Sequence, residues 1–221
     1  ASYCHNITRI KPKTFSGPRL LDYSLKISPT PTDRSVRLDF YGHSVSRVSL
    51  QQHHSALEVI ARSRVARDYN AQIDEITFSK GKKVTIEDTI AYLRGTTTEI
   101  VDVRQFVMPS PLIANGIKDI KAYALLSFTP KRSFFDATYE LMQRIYTDFD
   151  FVPGFTNIAT PLKDVMSAKK GVCQDFAQIA IACVRAIGLP AKYVSGYIET
   201  LPPVGKEKLI GTDASHAWFS V

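Results

Sequence analysis

The sequence predicts an α+β protein in which a small antiparallel β-sandwich precedes a core built on one buried helix and an antiparallel sheet. Three observations carry this. Apolar and polar residues alternate with period two through much of 20–66, the pattern of half-buried strands. From 176 to 187 almost every position is apolar, so that helix is buried on all sides. Strand-like segments follow it at 191–198 and 213–221.

In chain order, Leu21, Tyr23, Leu25 and Ile27 alternate with Asp22, Ser24, Lys26 and Ser28, giving a first half-buried strand. Val36, Leu38 and Phe40 continue the pattern, Tyr41-Gly42-His43 reads as a turn, and 45–50 and 57–65 supply further strands. Several short strands in about 50 residues fit a sandwich domain over 1–70. Residues 71–130 lack clean alternation and carry turn signals at Gly81, Gly95, Pro109-Ser110-Pro111 and Asn115-Gly116. Short helices and loops joining the two halves are expected there. The core spans 131–221. Ser133 and Asp136 form a capping pair, and Phe135, Tyr139, Met142, Tyr146 and Phe149 recur at helical spacing, which predicts a helix over 134–149. Thr160-Pro161 is a second helix start, with Pro at the first helical position. Gly188 and Pro190 stop the apolar helix, a strand follows, and a polar loop with Pro202, Pro203 and Gly205 leads to the last strand.

The chemistry concentrates at two places on this frame. Cys173 follows a Gly-containing turn and opens the apolar helix, where the positive end of the helix dipole favours thiolate over thiol. The first backbone N–H groups of that helix have no partner within it and can form part of an oxyanion hole. His216 lies 43 residues further on, in the last strand, and can supply the base that a cysteine nucleophile needs. Trp218, two residues along, shares its strand face. Gln174 and Asp175 support the site, Asp175 by its favourable place in the first helical turn. Cys183, on the same helix, reads as a core thiol, and Cys4 falls in a polar N-terminal stretch with no role. His53 and His54, adjacent in a strand, point to opposite faces and cannot share an ion, so no metal site is expected.

Gly171-Val172-Cys173-Gln174-Asp175-Phe176-Ala177, Gly188-Leu189-Pro190-Ala191-Lys192-Tyr193-Val194-Ser195-Gly196-Tyr197 and Ala214-Ser215-His216-Ala217-Trp218 together resemble the core of the bacterial transglutaminase-like superfamily. Phe149-Asp150-Phe151-Val152-Pro153-Gly154-Phe155-Thr156 and Thr160-Pro161-Leu162 are similar to that family's lead-in to its cysteine helix, and 20–66 resemble, more weakly, the β region that precedes the core. The resemblance implies a papain-like Cys-His-Asp site that transfers acyl groups from amides through a thioester, without a cofactor. Hydrolysis by a cysteine peptidase or amidase is the expected outcome. The alternatives are a cross-linking transglutaminase and a non-catalytic binding or scaffold module. In the family the third, acidic member lies on the strand after the histidine strand, so it is expected beyond Val221. Asp213, Asp175 and Glu199 are nearby acids, and none matches the motif. Ala1-Ser2-Tyr3, without an initiator Met, reads as a clipped start.

Composition narrows the class further. At 221 residues and 44% hydrophobic the chain can bury one or two cores. No stretch approaches the ~18 consecutive apolar residues of a membrane span. Three cysteines without CxxC spacing argue against a disulfide framework or a structural zinc site, which points to a reducing, cytoplasmic setting. Of the net charge of +7, most falls in 1–130, with 18 Lys and Arg against 12 Asp and Glu. A solvated basic face accounts for it, since no helix-turn-helix or aromatic recognition motif accompanies the charge. The expected partner is a peptide or protein amide substrate, with neither nucleic acid nor membrane.

Overall fold

Residues 3–14, 19–66, 79, 81–114, 116–198 and 215–221 are described by the computed structural model, which divides into two units, Ala1–Ile73 and Asp74–Val221.

The first unit contains strands β1 (Cys4–Thr8), β2 (Arg19–Ser28), β3 (Asp33–Leu38), β4 (Ser44–Leu50) and β5 (Glu58–Ala66). They form two antiparallel sheets, β1-β4-β3 and β2-β5. The central strand β4 buries Val45, Val48 and Leu50, as the middle position of a sheet requires. In β2 the pairing shifts between Leu20 and Asp22, so Leu20 takes the inward position and Leu21 turns to solvent. One extra residue in a ladder flips the faces of what precedes it, which corrects the expected inward set at Leu21. Cys4, in the polar N-terminal stretch, lies in β1. Its strand has a single aliphatic residue, Ile7, itself exposed, and is held by pairing with β4, so no alternation was there to read. His53 and His54 lie in the loop after β4 instead of a strand.

The second unit contains helices α1 (Ile86–Tyr92), α2 (Thr98–Arg104), α3 (Lys118–Leu125), α4 (Phe134–Asp148), α5 (Leu162–Ala168) and α6 (Cys173–Ala186). Side chains of Thr85, Thr97 and Ser133 cap α1, α2 and α4 by accepting from N–H groups of the first turn. The short helices expected over 71–130 are present and belong to this unit. Ile86, Leu93, Ile113, Ile120 and Tyr123 share one apolar cluster with α6.

Helix α4 spans the expected residues. Ala137, Leu141 and Ile145 point inward, while Tyr139, Met142 and Tyr146 are exposed and Phe135 stacks on Tyr139 at 6.5 Å. Both stripes have helical spacing, so the periodicity predicts the helix without saying which face is buried. For α5, Pro161 is the N-cap and the helix begins one residue later than expected.

Helix α6 is the axis of the unit. Ile179, Ile181 and Val184 are fully buried, each stabilising the fold by about 1.5–3 kcal/mol. It ends where Gly188 adopts φ +82°, with Leu189 N–H donating to Val184 O. The antiparallel pair β8 (Lys192–Tyr197) and β9 (Ser215–Ser220) packs against it. Arg185, 9% exposed, ties these parts together: Nε and Nη2 donate to Ala191 O, and Nη1 to Met108 O and Ser110 Oγ.

Replacing Arg185 by Met strands the buried Ala191 carbonyl and releases the partly buried bonds to Met108 O and Ser110 Oγ, and stability measured by urea unfolding should fall by about 2–4 kcal/mol. Arg185→Lys should recover only part of it, because one ammonium cannot span three acceptors. Cys183, fully buried with Sγ 3.7 Å from Ile120 O, has its thiol pushed from 9.0 to about 12 by burial. The unfolded thiol ionises first, so it binds fewer protons than the native one between pH 9 and 12, and stability should fall as pH rises through that window. A Cys183→Ala variant should show a shallower decline in urea midpoint over the same range.

Candidate active site

The start of α6 is fixed by the strand pair just before it. Strands β6 (Asp150–Phe151) and β7 (Lys170–Gly171) run parallel, with Asp150 N–H donating to Lys169 O at 2.8 Å and Val152 N–H to Gly171 O at 2.9 Å. Val172 is extended at φ −124°, and the helix begins at Cys173. Asp175, 3% exposed, closes the turn: its Oδ2 accepts from Val172 N–H at 2.8 Å and from Thr156 Oγ1–H at 2.6 Å. Gly171 makes this possible, because a Cβ there would lie 2.7 Å from Asp175 Oδ2 and 2.8 Å from its Cβ. The carboxylate is thus engaged in holding the helix start, a stronger form of the support expected from the helix dipole alone.

Cys173 is therefore the first residue of a buried helix and is itself partly exposed. The N–H groups of Cys173 and Gln174 have no acceptor within the helix, whose first bond runs from Phe176 N–H to Val172 O. Phe176 anchors the next position by edge contacts to Phe149 and Phe151, with ring centroids at 5.8 and 6.3 Å.

His216 lies on β9, directly opposite Gly196 of β8. The rings of His216 and Trp218 are 6.5 Å apart at 28°, a stacked arrangement. Trp218 leans over Gly196, where an added Cβ would come within 2.8 Å of its Cη2. At 40% exposed, Trp218 is a partly open cover on the strand rather than core filling. The histidine strand packs on the cysteine helix; no hydrogen bond joins Cys173 Sγ to the His216 ring among the described residues.

Two residues of this region carried no local signal. Thr156 is 19 residues from Asp175, and its partnership follows only from the fold. Tyr193 of β8 has its phenol pushed up by burial and then by the nearby Cys173 and Asp175, which places it in the electrostatic neighbourhood of the thiol. Among the described residues no group of three His, Cys, Asp or Glu could hold a metal ion. Glu199 and Asp213 lie outside the described residues. Among the described residues no helix is long and apolar enough to cross a membrane.

Uncharacterized proteins of Mycobacterium tuberculosis and Mycobacterium bovis are 37% identical over 212 residues, covering 96% of this chain and 65% of theirs. A Mycobacterium leprae protein, also uncharacterized, is 24% identical over 225 residues, covering 99% of this chain and 73% of its own. The chain thus spans 65% of the length of the 37%-identical relatives. The fold is similar to the crystal structure of a "Putative Cysteine Protease from Cytophaga hutchinsonii", with a TM-score of 0.73, 19% identity, and coverage of 99% of this chain and 67% of that one. Residues 1–66 match the bacterial transglutaminase-like N-terminal region and residues 126–221 the transglutaminase-like superfamily. The two regions stand in this order, Cys173 opens the buried helix of the second, and it is residues 126–221 that match the transglutaminase-like superfamily.

Proposed function

We propose that the protein is a cysteine peptidase or amidase in which Cys173 is the nucleophile and His216 the general base. The single observation that carries this reading is the contrast between two thiols on one helix. Cys173 is open at the helix start, with unpartnered N–H groups beside it, whereas Cys183 is sealed in the core. His216 takes the proton from Cys173 Sγ, and the sulfur attacks the amide carbon, forming an S–C bond while the carbonyl π pair moves onto oxygen. N–H groups at the helix start are donors for that oxyanion. As the carbonyl re-forms, the C–N bond breaks and the imidazolium gives its proton to the leaving amine. The resulting thioester is resolved by water, deprotonated by His216, releasing a carboxylic acid and the free thiol. Water is favoured over a second amine in keeping with the Cytophaga hutchinsonii neighbour, described as a "Putative Cysteine Protease". Trp218, stacked beside His216, limits the orientations open to the ring.

Site-resolved alkylation of the full-length protein should label Cys173 with iodoacetamide at neutral pH far faster than Cys183. Equal or reversed rates would remove Cys173 as nucleophile. On amide-containing peptides, Cys173→Ala should abolish turnover and His216→Ala should lower it by about 10²–10⁴-fold.

The resolving acceptor is tested by incubating glutamine- and amide-containing peptides with and without a labelled primary amine. Release of ammonia or amine without incorporation of label is expected. Dominant incorporation would assign a transglutaminase, and neither product, with Cys173→Ala equal to wild type, would assign a binding module.

A further inference from the structure

The cavity beside the start of α6 encloses about 380 Å³, within the range of about 300–1,000 Å³ over which ligand pockets fall. We propose that it receives the acyl portion of the substrate and selects an extended peptide carrying a bulky aliphatic side chain, a proposal that rests on Cys173 being the nucleophile.

The cavity reaches the residue next to the nucleophile, Gln174, although Cys173 itself does not line it. Gln174 directly follows Cys173, and Gln178, four residues on, lies above Gln174 on the same helix face. The walls come from Pro111, Leu112, Ala114 and Ile117 and from 157–163, which runs into the start of α5, and they present Leu112 and Ile158. Both are large aliphatic side chains left open to solvent, Ile158 at 74% of its surface. A substrate side chain of the same chemistry covers them.

Gln178 supplies the second, independent observation. It is 7% exposed, lines the cavity, and its carboxamide has no hydrogen-bond partner among the described residues. Its amide atoms are not among the fully buried unpartnered ones, so they keep their solvent contact and are available to a ligand. A peptide backbone offers both that it needs, a carbonyl for its NH₂ and an N–H for its oxygen. Of the lining residues only Lys163 and Asp175 are charged. Lys163 is exposed at the rim, and Asp175 Oδ2 already accepts from Thr156 and Val172. A charged substrate side chain would therefore give up hydration in the interior with little in return.

The test compares acetyl-Leu-Gly, acetyl-Gly-Leu, acetyl-Gly-Gly and acetyl-Asp-Gly chloromethyl ketones on the full-length protein. Cys173 Sγ forms an S–C bond as the C–Cl bond breaks and chloride leaves. Rates at Cys173 are divided by the iodoacetamide rate of the same preparation. At least one leucine probe should exceed the glycine probe by about tenfold or more, as aliphatic pockets discriminate. Ile158→Asp, Leu112→Asp and Gln178→Ala should each erode that ratio. Leucine probes no faster than glycine, or a preference indifferent to these variants, would overturn the proposal; an aspartate probe fastest of all would do so too, pointing to Lys163. A folded protein whose Cys173 resists iodoacetamide contradicts the nucleophile instead. Calorimetric binding of acetyl-Leu-Gly-amide to the Cys173→Ala protein then decides the pocket alone: binding weakened by Ile158→Asp supports it, and no binding refutes it.

Discussion

A helix buried on every side constrains everything packed around it, and α6 imposes that constraint on the second unit. Its apolar residues can be covered by any well-shaped neighbours, but its polar ones need particular partners, since a buried polar group without one destabilises the fold. Asp175 finds Thr156 and the Val172 N–H, Arg185 finds the carbonyls of Ala191 and Met108, and Cys183 approaches Ile120 O. Each pairing fixes a different segment against the helix. Thr156 brings in the loop after β6, Arg185 secures the entry to β8 and the 108–110 turn, and Ile120 seats α3. Gln178 departs from the pattern, and it faces the cavity.

The same constraint explains why the chemistry sits at one end of the helix. Along a helix buried over most of its length few side chains can meet a substrate, and Cys173 and Gln174 in the first turn are partly exposed. There Asp175 has used the Val172 N–H and left those of Cys173 and Gln174 without intrahelical acceptors. A carboxylate at this position also complements the helix dipole. The cap thus stabilises the helix while leaving donors pointing toward the region in which the thiol lies.

The elements around the site were legible because their signals are local. A glycine-led cysteine, a long apolar run, Gly188 at its end and a β-rich segment after it each state their structure within a few residues. What the sequence concealed depends on contacts between distant parts. The face α4 buries is decided by which stripe meets α6, and the smaller Ala137, Leu141 and Ile145 fit there better than the tyrosines. The shift at Leu20 and Asp22 depends on how β5 pairs, and β1 exists as a strand because β4 offers it an edge. Thr156 and Tyr193 join the site for the same reason.

Gly171 and Gly196 show how much of the site is encoded by side chains that are missing. Neither needs glycine for its backbone angles, since positive φ values occur at other glycines. Both are small because something must come close. At Gly171 the intruder is the Asp175 carboxylate, at Gly196 the Trp218 ring. A methyl group at 171 would push the carboxylate off Val172 and Thr156 and loosen the turn that sets Cys173 in place. A methyl at 196 would lift Trp218 away from the strand and with it the ring stacked on His216. The two glycines therefore act at the two halves of the proposed dyad, one through the helix start and one through the sheet. A motif built of Gly, Cys and His is in physical terms a statement about where Asp175 and Trp218 are allowed to lie.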